Sequence, residues 1–164
     1  MLSLSRMNSE NLKKLLVVFH SASGNTQKMT DAVIRGINKT GAKPQSWSAV
    51  TALQATPDDV LSANGIILLT PENFGYMSGA MKVFFDRSYY PCLEKTQGMP
   101  YALVIRAGND GEGAKQSITR IVTGLAWREI APPIISRGEF DDTILSECED
   151  LGESFSAGLD AGIF

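Results

Sequence analysis

The residues best equipped for chemistry stand in one short run, Ser21-Ala22-Ser23-Gly24-Asn25-Thr26. Ser21, Ser23, Asn25 and Thr26 each carry a side-chain donor, and Gly24 lets the backbone turn closely around a bound group. Before the run stand Leu15-Leu16-Val17-Val18-Phe19, an apolar stretch of the length and type of a strand buried on both faces. After it, Met29, Val33, Ile34 and Ile37 recur on one face of a helix beginning near Thr26. Strand, small-residue loop and helix make a phosphate cradle. Amides at the helix start have no intrahelical acceptor, and the helix dipole adds partial positive charge there.

The kind of phosphate follows from what the loop lacks. There is no lysine in a G-x-x-x-x-G-K-[ST] setting and no G-x-G-x-x-G spacing, so neither a triphosphate loop nor a dinucleotide fingerprint is present. No cation lies between His20 and Gln27. Neutral donors alone suit a monophosphate whose carrier is also held elsewhere. An ordinary helix cap would need one hydroxyl residue, not several. The run Ser21 to Thr26 resembles the [TS]-x-[TS]-G-N-T loop of the flavodoxin family, which follows the first strand and holds the phosphate of FMN.

The totals set limits on the rest. At 164 residues, with 43% hydrophobic and 20% charged residues, one globular domain is expected over residues 15–164, preceded by a loose arm at 1–14. That arm lacks the continuous apolar stretch of a secretory signal. A net charge of −3 and the absence of a basic run argue against nucleic acid or an anionic membrane as partner. No apolar stretch approaches the roughly 18 residues of a membrane helix. Cys92 and Cys148 are far apart and have no metal-ligand or redox-motif spacing, so no metal site and two free thiols in a reducing cytoplasm are expected. His20 is the single histidine; with no G-x-S-x-G elbow it reads as a packing or loop-shaping residue.

Along the chain, Gly41 stops the first helix and Pro44 to Val50 reads as an edge strand. Thr56-Pro57-Asp58-Asp59 opens a short helix with a hydroxyl cap, proline at the first position and two acids in the first turn. Ile66 to Leu69 and Tyr101 to Ile105 are buried strands. Helices are expected over Ala80 to Tyr89 and Ala114 to Thr123. Trp127 to Ser136, interrupted by Pro132-Pro133, reads as the last edge strand, and a helix capped by Asp141 or Asp142 runs to about Gly158. This alternation predicts an α/β, doubly wound, five-stranded parallel sheet of order 2-1-3-4-5 with helices on both faces. The resemblance makes that sheet flavodoxin-like. Its ligand belongs outside the carboxyl ends of the strands.

Two more loops meet that edge. The segment Pro71-Glu72-Asn73-Phe74-Gly75-Tyr76-Met77-Ser78-Gly79, with Met81, Lys82, Phe84, Asp86 and Arg87 after it, resembles the flavin-facing segment of NAD(P)H-dependent FMN reductases. It resembles equally that of the NAD(P)H:quinone oxidoreductases once named tryptophan-repressor-binding proteins. In those families the backbone here bonds the rim of the flavin ring. Phe74, Tyr76 and Met77 are expected to cover a ring face, while Pro71, Glu72, Asn73 and Gly75 place backbone groups at its rim. Met81, Phe84 and Phe85 read as helix core. The third loop, Ala107-Gly108-Asn109-Asp110-Gly111, falls at the family's third flavin contact, with Ala107, Gly108 and Asn109 as candidates; Asp110 reads equally as a helix N-cap.

The resemblance implies an FMN-dependent oxidoreductase that takes hydride from NADH or NADPH and passes two electrons to a quinone or other small acceptor. The alternative is a one-electron carrier. Carriers of the short flavodoxin type flank the ring with a tryptophan and a tyrosine, which these loops do not match, and they are more acidic than this chain. No catalytic side chain is demanded, because the flavin does the chemistry. Related reductases are dimers or tetramers, and Tyr89-Tyr90-Pro91 with Trp127 are the expected interface residues.

Overall fold

Successive side chains of strand β1 (Leu15–Phe19) point to opposite faces of a sheet covered on both sides. Leu15 and Val17 enter one apolar layer, Leu16 and Val18 the other. Strand β3 (Gly65–Asn73) divides Ile67 and Leu69 from Ile66 and Leu68 in the same way, and β5 (Pro100–Ala107) divides Ala102 and Val104 from Leu103 and Ile105. Double-sided burial is why these runs are apolar throughout and do not alternate. The computed structural model describes residues 12–164, so positions 1–11 of the expected N-terminal arm lie outside the described residues. Lys14 is anchored: its amide donates to Asn64 Oδ1 at 2.8 Å, and its carbonyl accepts from the Asn64 amide at 2.8 Å.

Helices α1 (Asn25–Lys39) and α5 (Ile144–Asp160) cover the first layer. The second is covered by α2 (Pro57–Leu61), α3 (Gly79–Cys92) and α4 (Glu112–Gly124). The parallel order is β2 (Trp47–Thr51), β1, β3, β5, then a last position shared by β6 (Arg128–Glu129) and β7 (Ile134–Arg137). With the divided strand counted once, this is the expected order 2-1-3-4-5. The division falls where Pro132 and Pro133 have no amide to give the ladder.

Several boundaries differ from the expected ones, each for a local reason. Pro44–Ser46 form a 3-10 turn before the edge strand, so β2 starts later and ends at Thr51. Helix α3 runs three residues past Tyr89 because Pro91 enters only its final turn. The last helix starts at Ile144 since the Asp141 carboxylate accepts from the Thr143 amide at 2.9 Å, forming a turn ahead of the helix. The main addition is β4 (Tyr76–Met77), which pairs antiparallel with the end of β3 through Glu72–Met77 and Asn73–Tyr76. Trp127 is 8% exposed, packs near Phe85 and Tyr101, and donates from Nε1 to Thr96 Oγ1 at 2.9 Å. It is a core residue, unavailable as an interface.

Helices α1 and α5 meet backbone to backbone. A Cβ built on Gly36 of α1 would lie 1.9 Å from the Glu149 carbonyl oxygen; one on Gly152 of α5 would lie 2.0 Å from that of Val33. The two cysteines are free and fully buried, Cys92 in the layer under α3 and Cys148 in the layer under α5. Burial raises the Cys92 thiol above its ordinary range and pushes Cys148 up to about 12. No helix among the described residues is long and apolar enough to cross a membrane.

Candidate functional site

The carboxyl ends of β1, β3 and β5 come together at one edge through their register: Phe19 lies beside Leu69, Leu69 beside Val104, and Pro71 beside Arg106. The loop after β1 closes on itself before entering α1. Ser21 Oγ accepts from the Gly24 amide at 3.1 Å and the Gln27 amide at 3.2 Å, and the His20 amide donates to the Leu69 carbonyl at 3.0 Å. Gly24 is the N-cap residue at φ 92°, a conformation that favours glycine. Thr26 is buried to 1% exposure, whereas Ser23 and Gly24 are exposed.

This helix start is different from the others. Helix α2 has a full capping box between Thr56 and Asp59 with Asp58 beside it, and α3 is capped by Ser78. Helices α4 and α5 carry Glu112 and Glu147 in their first turns. Among the described α-helices, α1 alone has neither a capping side chain on its N-cap residue nor an acid in its first turn. The amides of Ala22, Ser23, Asn25 and Thr26 find no acceptor among the described residues. A donor-only set at the positive end of a 15-residue helix fits a phosphate monoester.

The middle segment is a hairpin. Pro71, Glu72 and Asn73 continue β3 beyond the end of β1, Phe74 and Gly75 form the tip, and Tyr76 and Met77 return. Both tip residues have positive φ, 54° at Phe74 and 69° at Gly75, as in a two-residue type I′ turn. For glycine this is ordinary; for phenylalanine it costs about 1–2 kcal/mol. The Phe74 ring is also wholly exposed. A strained and bare aromatic thus stands at the carboxyl edge of the sheet. Met77 cannot cover a ring as expected: it is 2% exposed and packs in the core below the hairpin. Tyr76 remains half-exposed, and the Glu72 carboxylate is spent on α4, accepting from the Ala114 amide at 3.0 Å.

In the third loop Gly108 and Asn109 lie exposed at the edge. Ala107 lies beneath them, fully buried, its carbonyl accepting from the Gly138 amide at 3.0 Å and from Arg106 Nη1 at 2.6 Å. Asp110 is not the N-cap, which is Gly111; it stands one residue earlier, its carboxylate accepting from the Glu112 amide at 3.0 Å in a turn ahead of the helix. Sequence reasoning missed Arg106, whose guanidinium also donates to the Ser136 and Gly138 carbonyls and so ties β5 to β7. It missed Phe140 too, whose ring centroid lies 5.4 Å from Lys28 Nζ and 5.5 Å from Arg106 Cζ. A cation ending an apolar strand and a lone aromatic in a polar connection were the available signals. A cavity of about 310 Å³ lies at the opposite edge, lined by Lys13, Leu15, Thr40, Lys43, Ser156 and Leu159. It adjoins the carboxyl ends of α1 and α5, away from the three loops at the carboxyl edge of the sheet.

A sequence model of the family described as NADPH-dependent FMN reductase matches residues 38–140, which include the middle and third loops. A flavodoxin of Aquifex aeolicus (strain VF5) is 37% identical over 112 residues, 68% of this chain and 60% of the relative. The chain thus spans about three fifths of that relative's length. A flavodoxin from the domain Archaea superposes with TM-score 0.74 at 23% identity, covering 90% of this chain and 99% of that one. A WrbA-like flavodoxin from Agrobacterium tumefaciens gives 0.71 at 19%, covering 91% and 98%. At these identities the solved structures speak for the fold.

Proposed function

This chain belongs to the family of NADPH-dependent FMN reductases, and from that premise we propose that it binds FMN at the carboxyl edge of its sheet as an NAD(P)H-dependent oxidoreductase. The observation that carries the reading is the start of α1, a long helix whose first turn offers donors and no carboxylate. Ser21, Ser23, Asn25, Thr26 and the adjoining amides would hold the phosphate. The backbone from Pro71 to Gly75 would meet one rim of the ring, and Gly108 and Asn109 the other. Bound FMN would supply two-electron transfer between a nicotinamide and a quinone or another small acceptor. The protein's own part is to fix the phosphate, orient the ring and leave one face approachable.

The open face favours an enzyme over a carrier. No aromatic residue stands between Ala107 and Gly111, Trp127 is in the core, and Trp47 is half-buried at the outer edge of the sheet. A planar nicotinamide needs that space. The second reading, a one-electron carrier, is supported by the 37% identity to a flavodoxin. Two buried free thiols fit a reducing cytoplasm. Tyr90, 78% exposed, and exposed Pro91 are the residues we assign to a dimer or tetramer interface.

Steady-state oxidation of NADPH and of NADH by the FMN-loaded chain, with a quinone as acceptor, tests the reading. Turnover with at least one nicotinamide is expected; FMN binding without any turnover would promote the carrier. FMN at a hundredfold excess over its dissociation constant should also stabilise the fold by about 2.7 kcal/mol.

A further inference from the structure

The β3–β4 hairpin is clamped to the first turns of α4 at three points. On the outgoing strand, the Glu72 carboxylate accepts from the Ala114 amide at 3.0 Å. On the return strand, the Met77 amide donates to Ser117 Oγ at 3.2 Å, and that hydroxyl donates to the Ala114 carbonyl at 2.9 Å. Between them the Gly75 carbonyl rests on Gly113. A Cβ built there would lie 1.9 Å from the Gly75 oxygen and 2.5 Å from its carbonyl carbon, separations real Cβ atoms do not show.

Gly113 is not required by its own backbone, which is helical and has no positive φ. Gly113 is the second residue of α4, where the chain is already helical and alanine is the better helix former. The missing side chain is therefore explained by the carbonyl it admits, which approaches Cα closely enough for a weak C–H···O contact. This fixes the Gly75–Tyr76 peptide. The neighbouring Phe74–Gly75 peptide lies between two residues of positive φ, with Phe74 exposed and nothing within 4 Å of the place a Gly75 Cβ would occupy. The hairpin has fixed shoulders, and its tip peptide is placed through the seated Gly75 carbonyl.

We propose that Gly113 is a positioning residue of the FMN site: by seating the Gly75 carbonyl it holds the Phe74–Gly75 peptide where the flavin rim meets it. The proposal rests on the reading that FMN binds at this edge. Reduction of bound FMN would add hydrogen to the ring, and the Phe74 carbonyl of the tip peptide would be the group placed to accept from it. A displaced tip therefore weakens the reduced complex more than the oxidised one.

The test compares the full wild-type chain with Gly113→Ala and Ser117→Ala, the second releasing the Met77 amide without adding volume. FMN affinity, the midpoint potential of bound FMN and exchange of the Met77 amide in the ligand-free chain are measured, with circular dichroism as the check of folding. Gly113→Ala should weaken FMN about tenfold, roughly one net hydrogen bond. It should also lower the potential, a tenfold shift in relative affinity being about 30 mV for a two-electron couple. Ser117→Ala should move both in the same direction by a smaller factor, and both variants should speed Met77 exchange. Folded variants with wild-type affinity and potential overturn the proposal and leave FMN binding standing. If the wild type takes no FMN, the functional reading falls, and unchanged Met77 exchange in the variants then overturns the seat itself. Should Gly113→Ala not fold, Ser117→Ala decides by the same readouts.

Discussion

Replacing Ser23 by aspartate is expected to raise the dissociation constant for FMN about a hundredfold, equivalent to about 2.7 kcal/mol, without destabilising the ligand-free chain. Ser23 is exposed and immediately precedes Gly24, the N-cap of α1. A carboxylate there meets the positive end of the helix, an interaction worth about 0.3–1 kcal/mol in favour of the folded state. The same charge would stand against a phosphate dianion held by the neighbouring amides. At about 4 Å and an effective dielectric constant near 20, two unit charges repel by about 4 kcal/mol, and solvent reduces this at an exposed loop. Stability and affinity should thus move in opposite directions. Riboflavin, which has no phosphate, supplies the control: its affinity should be unaltered by the substitution. Titration of both flavins against both proteins gives the answer. Undiminished FMN affinity in Ser23→Asp would place the phosphate away from α1.

Gly152→Ala should lower stability by about 2–3 kcal/mol, against the gain of about 1 kcal/mol that helix propensity alone promises. The Cβ would lie 2.0 Å from the Val33 carbonyl oxygen, so α5 has to move off α1. Helix backbones give way less readily than the ends of flexible side chains. For a chain of this size the loss corresponds to a fall of roughly 5–10 °C in melting temperature. Gly36→Ala should act alike, since its Cβ would meet the Glu149 carbonyl at 1.9 Å. The double variant should cost less than the sum of the two, because one separation relieves both clashes. An unchanged or raised melting temperature for Gly152→Ala would show that the helices already have room.

The sheet was legible because buried parallel strands leave long apolar runs. The run from Leu15 to Phe19 marks its strand fully, and Thr56 with Asp59 announces the box that opens α2. What escaped was structure made by long-range pairing among polar residues. Thr70 to Asn73 carry no apolar run, and they are a strand because β5 and then β4 pair with them. Phe74 in a left-handed conformation goes against local preference, so no propensity argument finds it. The glycines at 36, 113 and 152 look like weak points of their helices until the facing carbonyls are seen. At the site, the donor-rich loop was readable from residue type alone. The depths of Met77 and Ala107 depend on the layers beneath and were not.

The placement of the two sulfurs gives the chain a layer-resolved record of its own opening. Alkylating reagents attack thiolate, and a thiol titrating near 12, as Cys148 does, supplies on the order of one thiolate in 100,000 at pH 7. Cys92 is shielded in the same sense and lies on the other side of the sheet. Neither becomes reactive until the helices above it lift, so each labelling rate clocks a different face. Equal rates would mean that both layers come apart in one event. A faster Cys148 would mean that the α1–α5 face, with the phosphate loop at its end, detaches while the hairpin and its clamp stay closed.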